Sequence, residues 1–428
     1  MGKRIKEKKL AVFINIDSQF LPAGLLSMTE EDTNVIVSKF AYGLKYLNRP
    51  NAIEIDPVSL SIVNKQNVRG MELLPVEGLA LFGGIRDAAP DSWGRRVIEA
   101  RLKAPLNSLP ESAYLLEAGS ERIGALDIRE SIESHPSAHP KSTIHRLEYM
   151  MDAAARIELG LPVPVQLEDI FDAGSGMGGM RPKATVEDED GVLWLAKFPS
   201  RNEALNVPCI EAATMRLAAK AKLDVPTVRT ENLGGKTVML IRRFDRALVG
   251  GKQYRHHLVS ALTMLGCDET ESRSKSYWDI ADKIRMYTPA AHVKNNQKEL
   301  FGRMVFNILV TNDDDHLRNH AFLWDGEYKG WKLSPLFDVM PHPVVGFERY
   351  LHLGVGSQGR VATLDNALSG YSRFGITLHD AEKIIDRIWR VVRQWKNYFE
   401  EFGVPENEIK KIAPAFRHID DVMTPGCN

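Results

Sequence analysis

The spacing of apolar residues changes once along this chain, and that change restricts its possible folds more than any other feature. From about 165 to 245 the apolar residues come in short runs bounded by turn residues. Val192 to Phe198 alternates and is rich in aromatic and branched side chains, while Val238-Met239-Leu240-Ile241 is wholly apolar, as a buried strand is. Within this stretch only Ile210 to Lys222 has helical spacing, through Ile210, Met215, Leu217 and Ala221, with Pro226 beyond its end. After Phe244 helices dominate. Leu300, Phe301, Met304, Val305, Ile308 and Leu309 recur at three and four, and Ile384, Ile385, Ile388, Trp389, Val392, Trp395 and Phe399 form a second stripe running toward Gly403 as a cap. Ahead of both regions, Leu10 to about Glu130 reads as mixed α/β. Ala11 to Ile16 is a strand ended by Asp17 and Ser18, and a helix begins at Ser92 after Pro90-Asp91.

Composition narrows the classes further. A chain of 428 residues suggests two or three domains, and 44% apolar with 26% charged residues excludes disorder as the main state. Lys+Arg 55 against Asp+Glu 56 leaves a net charge of -1, which excludes coating nucleic acid by charge alone. Cys209, Cys267 and Cys427 are too few and scattered for a disulfide framework or a structural zinc site, and they suit a reducing compartment. The basic start, Lys3 to Lys9, leads into an apolar stretch that contains Asn15 and stops at Asp17, unlike a signal peptide, and no run is long enough to span a membrane. The expectation is a soluble, cytoplasmic protein. Ser131 to Thr143 is the best linker candidate, and no internal repeat is visible.

The sharpest segment is Thr311-Asn312-Asp313-Asp314-Asp315-His316-Leu317-Arg318-Asn319, directly after the first helical stripe and therefore a loop carried by a rigid element. All three aspartates are candidate acids or bases. Only Asp314 stands five residues before Asn319, the spacing of the base and the metal-binding amide in kinase catalytic loops. Nineteen residues later the apolar approach Leu333 to Phe337 ends in Asp338. A magnesium–phosphate site draws hard oxygen ligands from separate loops, which Asn319 and Asp338 can supply, while Asp314 would accept the proton of an attacking hydroxyl. Against this stands the plainer fact that three aspartates in a row usually form a solvated acidic loop. His316 lacks the companions of a zinc site and is expected to orient the loop or neighbour nucleotide phosphates.

Three weaker features accompany it. Gly174-Ser175-Gly176-Met177-Gly178-Gly179 continues into Met180-Arg181-Pro182-Lys183, where glycines bring backbone amides close to phosphates and Arg181 and Lys183 add charge. The run matches neither the Walker nor the protein-kinase glycine pattern, and a flexible turn has the same appearance. Lys197 shares a strand face with Leu193 and Leu195; such a lysine either snorkels to water or reaches α/β-phosphates if a carboxylate, here Glu211 in the next helix, holds it. Arg242-Arg243-Phe244 follows the buried run, where an adenine-binding hinge would fall, although strand ends often carry charge clusters. Each is ambiguous alone. Their order (glycine loop, strand lysine, helix glutamate, hinge, base, asparagine, acid) is the order of a kinase.

Here the sequence resembles the HipA family, the serine/threonine kinases of bacterial type II toxin–antitoxin modules. The matching stretches are Leu81 to Gly84, Asp87 to Arg96, Gly178 to Ala184, Arg243 to Arg246, Asn312 to Asn319 and Leu333 to Asp338. The resemblance implies an α+β, two-lobed protein-kinase-like fold: an added N-terminal α/β subdomain over 1–130, a strand-rich N-lobe over 144–245 and a helical C-lobe over 246–428. It implies ATP and Mg2+, with Asp314 as catalytic base and Asn319 and Asp338 as metal ligands. Gly178, Gly179, Arg181, Lys183, Lys197, Glu211, Arg242, Arg243, Phe244 and His316 would serve the nucleotide, and Ser175 would be the autophosphorylated serine that switches the enzyme off. It further implies a protein substrate, with an aminoacyl-tRNA synthetase as first guess, and a helix-turn-helix antitoxin of HipB type that makes most contact with operator DNA. Two departures from the family pattern stand in the loop: Arg318 replaces the frequent lysine, and Asp315 stands where glycine is common, adding negative charge beside the magnesium site. Competing classes are a small-molecule or lipid kinase with the same base–asparagine–acid set, a non-enzymatic co-repressor acting with an antitoxin, and a metal-dependent phosphohydrolase.

Overall fold

The computed structural model describes residues 5–137, 142–174, 176, 179–201, 203–344, 346 and 348–423. The chain forms two compact units, Met1–Arg201 with Leu240–Val259 and Asn202–Met239 with Ser260–Asn428.

The first unit opens with strands β1 (Ile5–Ile16), β2 (Gln19–Glu31) and β3 (Asn34–Tyr42), joined later by β4 (Leu126–Arg129), in the sheet order β3-β2-β1-β4. β1 pairs antiparallel with both β2 and β4. That central place explains why Leu10 to Ile16 is an unbroken buried run rather than an alternation. Asp17 and Ser18, both at positive φ, make the two-residue turn that matches strand twist. Pro22, which cannot donate to a ladder, sits where the register shifts beside Val12 and Phe13. The helix expected at Ser92 spans Ser92–Leu102 with Asp91 at its N-cap position.

Two further strands, β5 (Lys183–Glu187) and β6 (Leu193–Lys197), pair antiparallel with Lys183 directly opposite Lys197. A hairpin not anticipated from the sequence follows Phe244: Arg246–Val249 pairs with Lys252–Arg255 through Gly250 and Gly251, both at positive φ. The expectation that helices dominate directly after Phe244 therefore fails over these residues. The Gly-Gly pair is a hairpin signal that the long-range change of period obscured.

The second unit is mainly helical. The helix Val207–Lys220 starts three residues before the expected Ile210, because the Asn206 side chain caps the Cys209 N–H and Pro208 suits a first turn. Ala290–Val310 is a 21-residue helix that begins after Pro289, well ahead of the apolar stripe. The stripe read through Phe399 proves to be two helices, Leu378–Val392 and Trp395–Glu401. Its break lies at Arg393-Gln394, and beyond it Trp395 stacks on Phe416 with ring centroids 3.9 Å apart. A short antiparallel pair, Ala321–Asp325 with Gly330–Leu333, interrupts the helices and was also missed. Among the described residues no helix is long and apolar enough to cross a membrane.

Candidate active site

The loop after the long helix is shaped before it is functional. Val310 is followed by Thr311 at φ 52, a left-handed conformation that a β-branched residue adopts only under constraint. The constraint is visible: the Thr311 hydroxyl donates to the Ala415 carbonyl at 2.5 Å and accepts from Arg349, and the Thr311 carbonyl accepts the His342 N–H at 2.9 Å. The chain thus reverses sharply into the aspartate run.

The three aspartates then take three different environments. Asp313 pairs with the His342 imidazole. Asp315 is buried, and its Oδ2 accepts from the Tyr277 hydroxyl at 2.5 Å, Asn307 Nδ2 at 2.8 Å and His320 Nε2 at 2.8 Å. Burial pushes the Asp315 carboxyl up, but His320 and then the Tyr277 hydroxyl outweigh it and hold it below the usual carboxylate range. Only Asp314 is exposed. The Asp315 carboxylate therefore keeps its charge but spends Oδ2 on the interior, where it anchors the loop.

Asn319 is buried, and its Nδ2 donates to the Asp314 carbonyl at 3.2 Å. A planar amide that turns its nitrogen one way presents Oδ1 the other way, as a hard oxygen ligand. Asp338 is exposed at φ 58, another left-handed residue and one whose side chain tolerates that region. The segment beyond it is laced to the aspartate loop: Met340 N–H donates to Asn312 Oδ1 at 3.4 Å, and His342 bonds both Thr311 and Asp313. The segment before it is held by the long helix, where buried Arg303 donates to the Ser334 carbonyl at 2.6 Å and Asn296 Oδ1 accepts the Leu333 N–H at 2.7 Å. The segments that carry Asp314, Asn319 and Asp338 are therefore tied together by hydrogen bonds. His316 is partly exposed, its ring 5.8 Å from that of His352, whose imidazole is pushed down by burial and by His316.

Among the described residues no three His, Cys, Asp or Glu side chains gather as an all-protein metal cage. A single carboxylate plus an amide oxygen instead suits Mg2+ carried by phosphates, which keeps most of its ligands as water and phosphate oxygens. The donor set fits that ion.

In the first unit, Lys183 and Lys197 are both buried. Residues directly opposite in an antiparallel pair lie on one face, so the two lysine stems leave the same face of this strand pair. Gly179 has its missing Cβ position only 1.9 Å from Lys183 Nζ, so this ammonium lies against the glycine-rich stretch, and the φ of 97 there disfavours any residue with a side chain. Arg181 is half-buried; Ser175 and Gly178 lie outside the described residues. Arg243 is buried with both its Nε and a terminal nitrogen on Asp245, while its N–H donates to the Leu193 carbonyl at 2.9 Å. Its side chain is thus a structural element. Arg242 is exposed and Phe244 partly buried. Glu211 is buried in the second unit's helix Val207–Lys220. Sequence reasoning missed Tyr277, Arg303, Asn307 and His320; the polar character of the first three within helices was the available signal, and His320 stands just ahead of a strand.

The family model described as "HipA-like C-terminal domain" matches residues 175–395, just over half of the chain. Y4mE of Sinorhizobium fredii, a protein named as a kinase, is 30% identical over 328 residues, covering 70% of this chain and 71% of that protein. The chain belongs to the HipA family. Another HipA-family relative, the serine/threonine-protein kinase toxin HipA of Shewanella oneidensis, is 24% identical over 163 residues, 35% of this chain and 37% of the toxin. The HipA structure from Shewanella oneidensis MR-1, solved with HipB and operator DNA, matches with a TM-score of 0.66 at 16% identity over 94% of both chains. The fold is accordingly the α+β fold of HipA.

Proposed function

We propose that this HipA-family chain is an ATP- and magnesium-dependent serine/threonine kinase that phosphorylates a cellular protein. The observation that carries the reading is the sorting of the aspartates. Of three adjacent acids only Asp314 is exposed, five residues before an asparagine whose amide is oriented on the Asp314 backbone, with the Asp338 segment bonded into the same loop.

In this mechanism the substrate hydroxyl oxygen attacks the γ-phosphorus, the bond to the ADP leaving group breaks, and Asp314 takes the hydroxyl proton. Asn319 Oδ1 and the Asp338 carboxylate would hold Mg2+, which when bound neutralises phosphate charge. Lys183 and Lys197 are assigned to phosphate oxygens, Gly178, Gly179 and Arg181 to the same anion through the glycine-rich stretch, and Arg242 to Phe244 to the adenine through the backbone. Glu211 is assigned as the orienting carboxylate for a lysine, and His316 as a neighbour of the phosphates. The proposed organisation is a subdomain over 1–130, an N-lobe over 144–245 and a C-lobe over 246–428. Ser175 is the proposed inhibitory phosphosite, an aminoacyl-tRNA synthetase the first substrate to try, and a helix-turn-helix antitoxin the partner that contacts operator DNA. The antitoxin assignment is motivated by the Shewanella HipA solved with HipB and DNA, and the proposed location is the cytoplasm.

The test is intact-mass spectrometry of dephosphorylated protein after ATP and Mg2+, beside Asp314→Asn. One added phosphate in the wild type alone, mapped to Ser175, supports kinase and switch together. Absence of any added phosphate, with labelled metabolites appearing in a lysate, overturns the protein-kinase reading in favour of a small-molecule kinase.

A further inference from the structure

The helix Ser92–Leu102 begins without a capping side chain, since Asp91 at the N-cap position makes no capping hydrogen bond. An uncapped first turn leaves backbone N–H groups in need of acceptors. The Trp93 N–H donates to the Gly179 carbonyl at 3.2 Å. The Trp93 indole N–H donates to the Lys183 carbonyl at 2.8 Å. Trp93 is fully buried, so both bonds lie out of reach of competing water. One residue far upstream thus grips the glycine-rich stretch at two carbonyls, one on each side of Met180-Arg181-Pro182.

Close packing reinforces the grip. A methyl group at Gly174 would lie 3.3 Å from the Val97 side chain and 3.4 Å from Trp93 Nε1, and one at Gly176 would lie 2.9 Å from Arg122 Cα and 3.0 Å from its nitrogen. The glycines are small here because backbone and indole occupy the space. Peptide planarity turns the grip into a direction. In a trans peptide the carbonyl and the following N–H point opposite ways, so a Gly179 carbonyl held on Trp93 aims the Met180 N–H away from the helix. Lys183 Nζ lies against Gly179 in the same stretch, so an amide donor and an ammonium are set together, a combination that binds anions.

We propose that Trp93 is a positioning residue for the nucleotide phosphates: its two N–H groups fix the Gly179 and Lys183 carbonyls and thereby aim the Met180 N–H and steady Lys183. The link to ATP rests on the kinase reading; the grip on the glycine-rich stretch does not.

The experiment compares wild type, Trp93→Phe and Ile98→Val by amide hydrogen exchange without nucleotide and by steady-state kinetics over ATP. Ile98 is buried in the same helix, so its truncation reports simple loss of packing. Trp93→Phe, which keeps an aromatic ring but loses the indole donor, is expected to speed exchange at 179–184 about tenfold and raise KM for ATP about tenfold, with kcat within about twofold. Ile98→Val should lower Tm and change neither. Gly176→Ala, which crowds Arg122 while leaving Trp93 in place, should raise KM in the same direction and serves if Trp93→Phe does not fold. Wild-type exchange and KM in Trp93→Phe (or in Gly176→Ala, where Trp93→Phe does not fold), or an equal KM rise in Ile98→Val, overturn the inference. If the wild type transfers no phosphate, the kinase reading falls, and unaltered exchange in Trp93→Phe would then overturn the grip on its own.

Discussion

Neighbouring residues of one type divide labour according to what surrounds them, and Asp314 and Asp315 make that division testable. Asp314 is exposed, so Asp314→Asn removes a proton acceptor without disturbing packing. Phosphoryl transfer should fall about 10²- to 10⁴-fold, with thermal stability within about 0.5 kcal/mol of wild type. Asp315→Asn should do the reverse at first order. It removes the charge that Tyr277, Asn307 and His320 address, and Tm should drop by the equivalent of about 1–3 kcal/mol. Parallel activity and melting measurements decide; equal Tm losses in the two variants would sink the division. A second residue-scale prediction concerns His257, buried with Nε2 on the Ile55 carbonyl at 2.8 Å. Burial pushes its imidazole down from 6.5 to about 4. It is therefore neutral in the folded state and charges more readily when unfolded. Its contribution is fully present above pH 6.5 and is lost as pH falls toward about 4, amounting to about 3 kcal/mol in all. Denaturant titrations of His257→Gln across that range should show a shallower acid limb than the wild type.

Elements here are set by their ends as much as by their apolar stripes. The helix Tyr277–Tyr287 carries a full capping box, with the Ser276 hydroxyl accepting the Asp279 N–H and Asp279 accepting the Ser276 N–H at 2.7 Å. This helix also carries Tyr277 to the Asp315 carboxylate. Ser276→Ala should cost about 1 kcal/mol by chemical denaturation, and Ser276→Thr should recover most of it. Periodicity read the middles of the helices well and their limits poorly. The stripe 300–309 is the buried part of a helix that begins at Ala290, where no apolar spacing marks the first turns. The run to Phe399 kept its spacing across a real break, because Trp395 and Phe399 are core residues of a separate helix whose apolar face packs on Phe416. Apolar spacing records burial, and two successive helices can bury the same side.

On the scale of the molecule, a buried charge network ties distant segments of the first unit together. Asp245 accepts from Arg243 and Arg246 and from the Gly124 N–H at 2.8 Å, and those arginines also donate to the Glu121, Arg122 and Gly124 carbonyls. Burial raises the Asp245 carboxyl, but Arg243 and then Arg246 lower it further, well below the usual range. Asp245→Asn leaves two buried guanidinium groups without their counter-charge and should cost about 3–5 kcal/mol, read as a lowered unfolding midpoint. A loss below about 1 kcal/mol would show that the network is not what joins the residues after Phe244 to those near Gly124.

The class of the fold and the spacing of the candidate acid and amide could be read from the order of residues alone. Alternation and three-four spacing are local consequences of strand and helix geometry, and the offset from Asp314 to Asn319 is a property of one loop, so both are legible without a partner. The tertiary structure alone decided which aspartate turns inward, that Lys183 faces Lys197 across a strand pair, that Arg243 is spent on Asp245, and that Trp93 holds a glycine-rich stretch some ninety residues downstream. Each of these depends on a hydrogen bond or a register between segments far apart in the chain. A polar side chain shows no preference for such a partner until folding has excluded water from both.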